Sequence, residues 1–147
     1  MTQEEKMLLI KDLSARLPYA VTVEHTSGFR GTLHDITIHH MYDDNDNVYD
    51  AICYTDFFGD EDSIYIEYFK PYLLPLSSMT EEQKKYITDR WGINDNFDFE
   101  IDPNWGKYFV DLGDAADFID WLNANGFDYR GLIPKNLAID STGLNIY

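Results

Sequence analysis

Cysteine occurs once, at Cys53, so the chain can form neither an internal disulfide nor a multi-cysteine metal site, which agrees with a reducing compartment. Long apolar runs are missing too. No stretch approaches the roughly 20 residues that cross a bilayer, and the opening MTQEEKMLLIKDL is too acidic and amphipathic for a signal peptide. These absences predict a soluble cytoplasmic protein with no membrane partner. Basic residues are scarce: 11 Lys and Arg stand against 27 Asp and Glu, a formal charge of −16. Nucleic-acid affinity comes mainly from cations that displace counterions at phosphates, so direct nucleic-acid binding is not expected.

Catalytic signatures are equally thin. Gly28, Gly31, Gly59 and Gly113 are isolated and belong to no phosphate-cradling GxGxxG or GxxxxGK[ST] run, which argues against a nucleotide cofactor. There is no GxSxG elbow, since Ser14, Ser27, Ser63, Ser77, Ser78 and Ser141 all fall in helix, turn or cap contexts. Cys53 sits in AICY, which reads as mid-strand, so it is expected to be a buried core thiol rather than a nucleophile. His25, His34, His39 and His40 form no HExxH pair. On an alternating strand His34 and His40 point one way and His39 the other, so at most two of these three converge. The acidic run from Asp43 fails as an EF-hand, because Val48 stands where Gly is needed and Tyr54 where Glu is needed. A loose cation site around Asp60, Glu61 and Asp62 competes with a solvated turn. Asp98 and Glu100 have the pairing of glycosidase acids, but acids are so abundant here that such pairs arise by chance. No catalytic residue, metal ligand or cofactor is assigned.

What the chain does contain is core material. Its 147 residues are 44% hydrophobic and 16% aromatic, too rich for the acidic disordered class and sufficient for one compact domain over 1–147, divided at about residue 75. The negative charge is local. Residues 41–70 hold 9 acids and 1 base, residues 89–120 hold 9 acids and 2 bases, and the remainder sums to −1. Such blocks are either solvated faces or a recognition field.

The hydrophobic period predicts the elements. Residues 3–17 form a helix with Thr2 and Glu5 at capping-box spacing and a stripe of Met7, Ile10, Leu13 and Leu17, ended by Pro18. The period then becomes two. Val21 and Val23 share a face, TSG at 26–28 turns, and a longer strand places Ile36 and Ile38 with His34, His40 and Tyr42. DDNDN at 43–47 is a hairpin connection, 48–54 returns, TDFFGDED turns, and Ile64, Ile66 and Tyr68 alternate on a fourth strand. Pro71 and Pro75 are expected to end this four-stranded antiparallel meander, which would curl into a small SH3-like barrel to hide its edges. A polar helix over 80–91 follows, with Ser78 or Thr80 as cap, Tyr86, Ile87 and Trp91 as anchors and Gly92 as stop. Phe97, Phe99 and Ile101 then alternate with acids, DPNWG at 102–106 turns, and KYFVDL returns as a hairpin. A second helix over about 114–125 buries Ala115, Phe118, Ile119 and Leu122, and LAI and LNI flank DSTG as a short terminal hairpin. The fold class is α+β.

Three stretches carry a resemblance: RLPYAV at 16–21, KPYLLPLSSMTEEQKK at 70–85 and DWLNANGFDYRGLIPKNLAID at 120–140. They resemble segments of a family of small proteins from phages and mobile elements of gut bacteria. The resemblance implies an intracellular bacterial or prophage context. It brings no activity, cofactor or site residue. Physically, Asp128, Tyr129 and Arg130 beside a glycine suit a structural polar lock at least as well as a binding site.

The remaining signal is aromatic. Phe57 and Phe58 are adjacent within the acidic loop of Asp56, Asp60, Glu61 and Asp62, and two neighbours on one strand cannot both point inward. Together with Trp105 in its turn, these residues are the expected contacts for a protein partner. The reading that follows is a non-catalytic interaction module with an unknown basic protein partner, in its specific form a phosphate mimic whose carboxylates occupy a host nuclease or regulator. A metal-dependent hydrolase using strand histidines and carboxylates is the alternative from another class. A structural protein acting through oligomerisation is the third.

Overall fold

The computed structural model describes residues 1–42, 47–55, 64–94, 96 and 112–147. Helix α1 (Gln3–Arg16) starts as its sequence dictates: the Glu5 N–H donates to Thr2 Oγ1 and the Thr2 N–H to Glu5 Oε2, so two otherwise orphaned donors are satisfied. Pro18 lies within a 3-10 turn, Leu17–Tyr19, and ends the helix. Leu9, Ile10 and Leu13 form the buried face, with Met7 and Leu17 at its margin. Burying Leu9 and Leu13 completely contributes roughly 1.5–3 kcal/mol each.

The face of α1 packs on a six-stranded sheet of β1 (Thr22–His25), β2 (Arg30–Tyr42), β3 (Asn47–Thr55), β4 (Ile64–Tyr65), β5 (Phe69–Leu73) and β6 (Ile139–Asp140). Their order is β4-β3-β2-β1-β5-β6. The first four strands are the antiparallel meander read from the period-two pattern, but the sheet does not stop there and is not all antiparallel. β5 pairs antiparallel with β1, and β6 pairs parallel with β5. Pro71 therefore does not end the sheet. It sits inside β5 opposite Val23, and β6 reaches only Tyr72 and Leu73, so the N–H that proline lacks can face an unpaired side.

Two further expectations are corrected. The fourth strand is only two residues long, because Ile66–Tyr68 turn as a 3-10 helix that buries Ile66 and exposes Tyr68. On β2 the register slips between Leu33 and Asp35, a bulge that resets the alternation. Leu33 and Ile36, an odd number of residues apart, both reach the core, and His34 stays exposed instead of sharing the face of Ile36. Cys53 lies in the core, fully buried.

A second apolar cluster joins α2 (Glu81–Trp91) to α3 (Leu112–Ala124) through Met79, Ile87, Ile93, Leu122 and Phe127, flanked by Trp91, Phe118 and Trp121. Thr80 and Gln83, not Ser78, make the capping box of α2, and Gly92 closes it at φ 66. The expected hairpin of 97–112 lies outside the described residues except for Leu112, which opens α3 instead of ending a strand. The expected LAI/LNI hairpin does not form: LAI supplies β6, whose partner is β5 rather than LNI. Three backbone bonds fasten this segment beside β5, from Leu74 to Gly126, Asp128 to Leu74 and Ser141 to Leu73, each 2.8 Å.

The polar lock read from DYRG is present. Asp128 accepts from the N–H groups of Leu132 and Ile133, which shapes the loop that sends Leu132, Leu137 and Ala138 into the α1 core. Beside it, Arg16 forks onto Asp12 at 2.7 and 3.1 Å and donates to the Phe127 carbonyl at 2.7 Å. Arg16 and Arg130 both approach the ring of Tyr129, at 5.6 and 4.9 Å from its centroid.

Candidate interaction surface

The residues singled out as partner contacts, Asp56, Phe57, Phe58, Asp60, Glu61, Asp62 and Trp105, all lie outside the described residues, as do the side chains of His39 and His40. Among the described residues, no three His, Cys, Asp or Glu side chains group as metal ligands, and no helix is long and apolar enough to cross a membrane. The chemistry that can be placed lies on β1, β5 and the turn after β1.

Val23 is buried on β1, so the pleat turns Glu24 to the opposite face. There Glu24 has a cation directly across on each side, Arg30 on β2 and Lys70 on β5. Arg30 Nε donates to Glu24 Oε2 at 3.0 Å, and the Tyr72 hydroxyl donates to the same oxygen. On the face away from α1 the Arg30 guanidinium lies over the Tyr72 ring, 4.8 Å from its centroid, and Tyr72 is 1% exposed. Lys70 Nζ reaches instead to Asn136 Oδ1 at 2.8 Å.

These contacts set the protonation states. The Tyr72 hydroxyl, more than Arg30, holds the Glu24 carboxyl below its ordinary range against the opposing effect of burial. Burial, then the Glu24 carboxylate, pushes the Tyr72 phenol up to about 12. Glu24 is thus a fixed anion and Tyr72 a fixed donor. Neither is poised to exchange a proton near neutrality.

The turn after β1 closes at Gly28, whose φ of 88° suits a residue without Cβ, and its N–H donates to the His25 carbonyl. The Ser27 N–H donates to His25 Nδ1, so a neutral His25 carries its proton on Nε2. Thr26 donates to the Tyr68 carbonyl, which brings the turn against the 3-10 segment. His25 packs against Tyr68 and Phe69 with ring centroids at 6.0 and 5.5 Å. Phe29 at 48% and Tyr68 at 43% exposure therefore occupy neighbouring segments at one end of the sheet. Between this turn and β6 lies a shallow, open depression of about 300 Å³ lined by Glu24, His25, Thr26, Gly28, Lys70 and Ile139.

Sequence reasoning missed Phe29 and Tyr68. A signal existed for Phe29, which directly follows the TSG turn and so lies beyond the strand that Val21 and Val23 begin. Tyr68 was hidden because Ile64, Ile66 and Tyr68 imitate a strand and only the 3-10 turn puts Tyr68 outside. Comparison with family models, with curated proteins and with solved structures found no match to this chain.

Proposed function

We propose that the chain is a non-catalytic protein-interaction module that docks a basic protein partner on the surface around Phe29, Tyr68 and His25. The observation that carries this reading is two exposed aromatics, Phe29 and Tyr68, on segments joined by the Thr26–Tyr68 backbone bond beside a charged row. Large rings supply most of the energy of a protein contact when a partner desolvates them, and a field of −16 steers a cationic partner toward them. The strand order β5-β1-β2-β3-β4, with a 3-10 turn before β5, supports a curled, SH3-like arrangement of the meander. On α3, Asp114, Asp117 and Asp120 recur at three-residue spacing and supply carboxylates of the kind a phosphate mimic needs.

The test is affinity capture from a bacterial lysate at low and high salt, followed by binding isotherms with the captured protein. Affinity should fall steeply with salt, and F29A with Y68A should weaken binding roughly tenfold or more. A partner bound equally at both salts, or equally by the double variant, would overturn the proposal.

A further inference from the structure

Glu24 and Lys70 are directly opposite on adjacent antiparallel strands, the position at which opposite charges ordinarily pair. They do not pair here. Glu24 gives Oε2 to both Tyr72 and Arg30, and Lys70 gives one of its three N–H donors to Asn136. A carboxylate oxygen, Oε1, and two ammonium donors are left over. Both side chains line the same depression, together with Ile139 and Gly28.

An acceptor anion and a donor cation held apart across one small hollow, with an apolar wall beside them, complement a molecule carrying the reverse pair. We propose that the depression binds a free α-amino acid as its zwitterion. The ammonium meets Glu24 Oε1, the carboxylate meets Lys70 Nζ, and a small aliphatic side chain lies on Ile139. The volume of about 300 Å³ is at the lower end of ligand sites, which suits a single amino acid. Asn136 is a positioning residue here, since its contact holds the ammonium away from Glu24. The proposal does not rest on the docking of a basic protein, and the two fail separately.

The experiment is a titration of the ¹⁵N-labelled full chain with glycine and L-leucine, read by amide chemical shifts. Saturable shifts are expected at Thr26, Gly28, Lys70 and Ile139, with affinity on the order of millimolar. L-leucinamide, which lacks the carboxylate, and N-acetyl-L-leucine, which lacks the ammonium, should each bind roughly tenfold more weakly, the factor that one lost charged contact of about 1.4 kcal/mol produces. K70M should lose the preference for L-leucine over leucinamide while its spectrum shows the same fold. Absence of saturable shifts with both amino acids, or equal binding of the blocked analogues, would overturn the site.

Discussion

Asp12 and Arg16 stand four residues apart on α1, and neither is more than 1% exposed. Removing one partner of a buried pair strands the other charge, so D12A should cost about 3–5 kcal/mol in a urea titration, while D12A with R16L should recover a large part of the loss. Equal loss in the single and double variants would contradict this. From sequence the pair is indistinguishable from a surface i,i+4 pair; only the arrival of Phe127 and Arg130 from the far end of the chain buries it. The lock at Asp128 was legible because its partners are four and five residues away. Gly126 is a sharper case. Its φ is 72°, and a Cβ there would fall 2.4–2.6 Å from the Tyr147 ring, whose hydroxyl donates to the Tyr72 carbonyl at 2.5 Å. G126A should therefore cost about 1–2 kcal/mol from backbone strain alone, and more when Tyr147 is present than in a Y147A background. A double-mutant cycle separates the two contributions.

At the level of elements, what is local was readable. Both capping boxes, the Gly92 stop and the turn at Gly28 follow from residues within a few positions of one another. T80A should destabilise α2 by about 1 kcal/mol, measured as a lowered urea midpoint with an unchanged slope. What depends on distant partners was not readable. KPYLL carries a proline and looks like the end of a sheet, yet β1 and β6 arrive from both sides and make it an inner strand. The bulge at His34 inserts one residue without altering composition, so the alternation in the sequence carries no sign of the point where it fails. The candidate surface shares this limit: Arg30 and Lys70 face Glu24 from neighbouring strands, and Phe29 and Tyr68 come from a turn and a 3-10 segment 39 residues apart.

For the whole molecule, the sheet face behind α1 ties stability to pH at both ends. The Glu24 carboxyl is lowered in the fold, so its contribution is present above the ordinary 4.5 and is lost as the pH falls below it. The Tyr72 phenol is raised from 10.0 to about 12, so the fold favours its protonated form. That contribution is complete below pH 10 and is lost between 10 and about 12. Urea midpoints followed through this window should fall less steeply in Y72F than in the parent chain. Equal slopes would show that the phenol is not held by the fold. The strand order has another consequence, for the sequence of events in folding. β2 and β3 join through a short connection and can pair early, whereas β5 must cross back to β1, and its other flank waits for residues 126–141. Long loop closures of this kind slow the search for the native state. During synthesis, β5 therefore stays an open edge until residues 126–141 have emerged. In that interval the exposed edge is open to pairing with a neighbouring molecule.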